Sequence, residues 1–102
     1  MKESAIEKQV REYVETQGCQ LIKFTSPGRR GWPDRLLLVP AERSTDDIAR
    51  VCFIEFKAPG KYPRPEQLDI IRDLRMQGFD AMWTDNVQRV FTWMDSYVEK
   101  AT

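Results

Sequence analysis

The chain has 102 residues, 41% of them hydrophobic, and a net charge of zero from 16 basic and 16 acidic side chains. That is one domain, residues 1–102, too apolar for disorder and without the ~20-residue apolar run that spans a bilayer. With no histidine and only Cys19 and Cys52, Ser-His-Asp and Cys-His nucleophiles and a Cys/His zinc tetrahedron are excluded. What remains for catalysis is carboxylates, Lys, Arg, Tyr or a hard metal ion. The start, MKESAIEKQV, lacks a signal peptide's apolar run, so the two cysteines are expected as free thiols in a reducing cytoplasm.

Charge is unevenly spread. Residues 20–64 hold nine Lys/Arg and five Asp/Glu, net +4, and the flanks are correspondingly acidic. Binding to a polyanion, if any, should therefore be local to the middle of the chain.

In chain order, residues 4–17 predict a helix: Ile6, Val10, Tyr13 and Val14 fall on one stripe and Gly18 supplies the stop. Residues 19–25 predict a strand and residues 26–33 a turn-rich loop. Residues 34–39 predict an apolar strand, residues 40–47 a polar connection, and residues 50–57 a further strand. Residues 58–65 predict a second rigid loop, with Pro65 placed to begin a helix that Gly78 ends. Residues 80–84 predict a short strand, and Asp85 or Asn86 caps a last helix running to about Lys100. The order αβββαβα predicts an α/β fold with a mixed central sheet flanked by helices.

The chemistry concentrates at Asp34 and at Glu55-Phe56-Lys57. Alternate side chains of a strand share a face, so Glu55 and Lys57 point together. If the two strands pair, Asp34 and Glu55 converge. Two carboxylates and a backbone carbonyl suit Mg²⁺ or Mn²⁺. An adjacent lysine can orient an attacking water or stabilise a pentacovalent phosphate.

Pro33-Asp34 followed by Glu55-Phe56-Lys57 resembles the PD-(D/E)xK nuclease superfamily. Gly31-Trp32-Pro33-Asp34, Ile54-Glu55-Phe56-Lys57 and Gln67 on the following helix together resemble its VRR-NUC family, the virus-type replication-repair nucleases. The Ser26-Pro27-Gly28 and Lys57-Ala58-Pro59-Gly60-Lys61 loops resemble small phage-type members. The resemblance covers nearly the whole chain. It implies a restriction-endonuclease-like core and a divalent-metal endonuclease that hydrolyses DNA to 5′-phosphate and 3′-hydroxyl ends, in a bacterial or phage-infected cytoplasm. It also implies Asp34, Glu55 and the Phe56 carbonyl as metal ligands, Lys57 as the catalytic lysine, and a first-helix Glu and Gln67 as further site residues. Junctions, flaps, forks and plain duplex all stay open as substrates. So do Mg²⁺ against Mn²⁺ and one metal against two.

Four glutamates compete for the first-helix role. At about 100° per residue, Glu12 and Glu15 fall on the solvent side and Glu7 at the edge of the apolar stripe. Glu3 points inward but precedes the helix or sits in its start. Glu7 fits best, and it also suits the family's Ile-Glu-x-x-Val pattern. Its rival role is a capping box with Ser4. Gln67 lies one turn ahead of Ile70, Ile71 and Leu74, so its amide should face the sheet. Lys23, Arg29, Arg30, Lys61 and Arg64 flank the two loops and are expected to grip phosphates. Trp32 either stacks on an unpaired base or packs as loop core, with packing favoured. On the last helix Trp93 lies off the apolar stripe and hints at a partner surface. Junction-resolving relatives make a homodimer the expected assembly. The alternatives are a non-catalytic DNA-binding module and a structural subunit of a larger phage or repair assembly.

Overall fold

The computed structural model describes residues 2–100. Helix α1 (Glu3–Thr16) leads into β1 (Gln20–Lys23), β2 (Arg35–Val39), a 3-10 turn (Ala41–Arg43), β3 (Arg50–Phe56), α2 (Pro65–Met76), β4 (Asp80–Thr84) and α3 (Gln88–Tyr97). The sheet runs β1-β2-β3-β4, with the first two pairings antiparallel and β3–β4 parallel. The parallel pair requires a crossover, which α2 provides. The mixed α/β sheet is the one expected from the element order.

Alternation along the strands sorts side chains into two layers. Leu21, Leu37, Val39, Cys52, Ile54, Phe56 and Met82 face α1 and α3, where Ile6, Val10, Val14, Val90, Met94 and Val98 complete the larger core. On the other face, Ile71 and Leu74 of α2 pack on Ala81, with Trp32, Phe53, Ile70 and Trp83 around them. Cys19 and Cys52 are free and buried. Burial pushes both thiols above their ordinary range.

Helix boundaries depart from expectation at α3. The last helix stops at Tyr97, because Val98 is extended and bridges to Ser44. The amide of Thr45 donates to the Tyr97 carbonyl at 2.9 Å, and that of Glu99 to the Arg43 carbonyl at 2.9 Å. The polar connection after β2 is thereby tied down. Arg50 holds Asp46 through two 2.7 Å bonds and lies 4.2 Å above the Tyr97 ring. The N-cap of α3 is Val87, not Asp85 or Asn86, and no side chain caps it; Asn86, one residue earlier, turns the chain into the helix with its Oδ1 accepting from the Gln88 amide at 2.9 Å.

Candidate active site

Strand pairing delivers the two acids to one place. Arg35 pairs with Ile54 and Leu36 with Phe53. One step further along this register sets Asp34 opposite Glu55, and opposite residues of an antiparallel pair share a face. Both therefore lie on the α2 side of the sheet, where β2 begins and β3 ends.

The same step sets Pro33 opposite Phe56. Pro33 is fully buried and has no N–H to give. Asp34 turns its carbonyl to β1, accepting from the Phe24 amide at 2.8 Å. The alternation of ladder groups then turns the Phe56 carbonyl toward Pro33, where no ladder donor meets it. Pro33 before Asp34 thus has a structural consequence: it leaves a backbone oxygen without a β2 donor beside two carboxylates.

Glu55 is 7% exposed although it is an acid. Burial first, and then the Asp34 charge, raise its pKa from 4.5 to about 7 against the opposing charge of Lys57. Lys57 Nζ lies 3.8 Å from Glu55 Oε2. The Lys57 amide donates to the Thr84 carbonyl at 2.8 Å, which fixes the backbone beyond the end of β3. Asp34 is half exposed, with Arg35 3.4 Å from its carboxylate. A buried carboxylate facing a second one is costly unless a cation joins them. Among the described residues no three acidic or thiol side chains form a closed cage. Two carboxylates and a free carbonyl nevertheless fit Mg²⁺, which keeps several waters and shares its shell with substrate phosphate.

Glu7 is linked to Asp34 through Arg35, whose guanidinium contacts both carboxylates. The Glu7 oxygens receive Arg11 and Arg35, each at 2.7 Å. Arg35 alternates with Asp34, so it points to the α1 face, and Glu7 sits there with it. The first-helix acid whose charge reaches Glu55 is Glu3, at the helix start with Lys2 as the N-cap. The Ser4–Glu7 capping box is not formed, because Ser4 lies inside the helix.

Gln67 is buried as expected, and its Oε1 accepts from the Arg64 amide at 2.9 Å, closing the first turn of α2. That leaves its Nε2 as the group able to reach a ligand. Of the basic residues, Arg64 and Arg30 converge on Glu66 at 2.7 and 3.8 Å, which ties the two loops together. Arg64 is also the one of the five whose charge reaches Glu55. Lys23, Arg29 and Lys61 are exposed. Trp32 packs, its ring centroid 6.4 Å from Phe24 and 6.1 Å from Phe53. Trp93 packs against the larger core and Tyr97, with its Nε1 buried and without a partner.

Gly31 holds the first loop close to α2. Its φ is +89°, and a Cβ there would stand 3.1 Å from Ile70 Cδ1 and 3.2 Å from Glu66 Cγ. Gly31→Ala is expected to cost about 1–3 kcal/mol in stability, from the left-handed backbone and the crowding together. Urea denaturation would read it, and a loss under 0.5 kcal/mol on the order of surface changes would show that the loop is not held by α2.

One residue pair escaped the sequence reading. Trp83 pairs with Glu55 in the parallel register, and Tyr62 stands over it with ring centroids 5.0 Å apart. Neither carried a motif. The signal was Trp83 on the strand beside Glu55, legible only once β3 and β4 are paired.

No family model matches the chain. Over 68 residues, 67% of its length, the chain is 43% identical to a protein of Acyrthosiphon pisum secondary endosymbiont phage 1 named "Putative nuclease p44", and it spans 66% of that relative's length. A solved "VRR_NUC domain" superposes with a TM-score of 0.75 and 25% identity, covering 93% of this chain and 96% of that one. The mixed sheet, the motif spacing and these two likenesses agree: the chain belongs to the VRR-NUC family of the PD-(D/E)xK nuclease superfamily.

Proposed function

We propose that the chain is a divalent-metal-dependent endonuclease that hydrolyses DNA phosphodiesters. The observation that carries the reading is Asp34 set opposite a buried Glu55, with Lys57 two residues further along the same face. Asp34, Glu55 and the Phe56 carbonyl would hold Mg²⁺ or Mn²⁺. When bound, such an ion supplies an acidified water and neutralises phosphate charge. Lys57 orients the attacking water and donates to the phosphate oxygens as charge builds on them. Gln67 Nε2 offers a further donor, and Arg30, Arg64, Lys61, Arg29 and Lys23 hold the flanking backbone.

Glu3, whose charge reaches Glu55, takes the first-helix role that the sequence pattern gave to Glu7. Glu3→Gln is expected to weaken Mg²⁺ dependence severalfold. Glu7→Gln should leave that dependence in place and cost about 1 kcal/mol by loosening Arg35. Cleavage titrated against Mg²⁺ in both variants checks the assignment, and the reverse ranking would return the role to Glu7.

The assembly fits a homodimer. Ile22, Leu36, Leu38 and Val51 lie on the α2-side sheet face away from β4, bordered by Phe53, which packs against α2 and carries Phe79 at its edge. Ile22 and Val51 are about two-fifths exposed and Phe79 half. A two-fold interface sets a patch against itself, so an uncharged apolar patch is self-complementary, and two sites then address two strands. Mass in solution should report a dimer that Val51→Lys turns into a monomer. A monomeric wild type would overturn it.

The functional test is incubation with labelled four-way junction, flap and linear duplex, in Mg²⁺ and in Mn²⁺. Metal-dependent cleavage supports the reading and ranks the substrates. Salt-sensitive binding without cleavage would replace it with a non-catalytic DNA-binding module.

A further inference from the structure

Beside Glu55, on the neighbouring strand, lies an exposed aromatic ledge. Trp83 is the register partner of Glu55 across β3 and β4, so both side chains point to the same face. Tyr62 stands edge-on to the Trp83 ring at 5.0 Å with an interplanar angle of 62°, yet 71% of it is open to solvent. Arg89 lies 5.1 Å from the Trp83 ring centre and donates to the Trp83 carbonyl at 3.3 Å. Covering Trp83 does not require so exposed a ring.

The segment carrying Tyr62 is stiff. Buried Pro63 restricts Tyr62 to extended backbone. The Lys61 amide donates to the Ala58 carbonyl at 2.9 Å, and the Gly60 amide to Asp85 Oδ2 at 3.3 Å. The exposed ring is therefore held in place before any ligand arrives, which lowers the ordering cost of binding. Lys61 and Arg64 flank it in sequence, and the Arg64 charge reaches Glu55. An aromatic face among cations is the chemistry that takes an unstacked nucleobase with its phosphates.

We propose that Tyr62, backed by Trp83 and Arg89, stacks an unpaired base of the strand whose phosphate lies at Glu55 and Lys57, so that the site favours DNA with a single-stranded segment over intact duplex. This rests on the nuclease reading for its purpose but not for its test. Stacking needs a free base face, which duplex does not offer, whereas phosphate contacts serve both forms.

The experiment measures fluorescence anisotropy of a labelled oligothymidine and of a labelled duplex of equal length, in metal-free buffer over a range of salt. Tyr62→Ala is expected to lower single-strand affinity roughly tenfold and to reduce the ratio of single-strand to duplex affinity by a similar factor. Tyr62→Phe should restore the ratio. The salt slope should stay unchanged in both, since stacking releases no counterions, whereas Arg64→Ala should flatten it by roughly one phosphate. Equal losses on the two probes, failure of Tyr62→Phe to restore the ratio, or no single-strand binding by the wild type would each overturn the proposal. Because binding is read without metal, a wild type that binds here but does not cleave once Mg²⁺ or Mn²⁺ is added fails the nuclease reading alone. Cleavage abolished by Lys57→Ala, with a binding ratio indifferent to Tyr62, fails the stacking proposal alone.

Discussion

Lys57→Ala is expected to lower metal-dependent cleavage by about 10²–10³-fold, the scale for losing one preorganised donor to a developing oxyanion. The side chain is only 17% exposed, and Nζ is 3.8 Å from Glu55. Its backbone is anchored by the bond to Thr84, so truncation removes the ammonium without releasing the strand. The lost charge has a second effect. Lys57 is the strongest group acting to keep Glu55 ionised, and without it the carboxyl holds its proton to higher pH. Part of the loss should therefore be recovered by raising the pH, while the missing phosphate donor is not recovered. Lys57→Arg should not rescue fully, because a planar fork does not replace a point charge in a space built for an ammonium. Initial rates on labelled DNA between pH 6.5 and 9, beside a circular-dichroism melt, separate these effects. A variant that folds and still cleaves within fivefold of wild type would remove Lys57 from the chemistry.

The central constellation was legible because it rests on strand periodicity. A two-residue repeat puts Glu55 and Lys57 on one face, and Pro33 before Asp34 fixes where β2 begins. Register then brings the acids together, and no tertiary detail can move them without moving the whole hydrophobic pattern. Glu7 was a different kind of problem. A helical wheel gives an angle around α1 but says nothing of which end of the sheet a residue meets, nor that Arg35, one residue after Asp34, bonds Glu7 while lying 3.4 Å from the Asp34 carboxylate. The Val98–Ser44 bridge and the Tyr62–Trp83 ledge were illegible for a related reason. Each joins segments distant in sequence through residues that carry no motif. Trp93 shows the converse, a large aromatic that suggested a partner surface and packs on the core, while Trp32 packs as its loop position favoured.

Glu55→Gln is expected to make the metal-free protein more stable at pH 8 while abolishing its response to metal. Glu55 has a folded pKa of about 7, above its ordinary 4.5, mainly because burial penalises the charge. A raised carboxyl pKa means that the folded state binds the proton more tightly than the unfolded state does. The stability associated with that proton is complete below pH 4.5, is lost as pH rises from 4.5 to about 7, and stays lost above that. The full shift corresponds to at most about 3 kcal/mol, and screening on the open side of the site reduces this to about 1–2 kcal/mol. Glutamine carries no charge at any pH. The variant should therefore match wild type near pH 4.5 and exceed it by that amount at pH 8. Comparing the two proteins at each pH cancels other groups, such as Asp46, whose pairing with Arg50 pushes its own pKa down. Millimolar Mg²⁺ should then raise the melting temperature of wild type and not of the variant, since only a ligand bound by the folded state shifts the transition. Urea midpoints at the two pH values, with and without Mg²⁺, test both halves. A glutamine variant less stable than wild type at pH 8 would mean that Glu55 is satisfied by Lys57 alone, and that the site is a finished ion pair with no need of a cation.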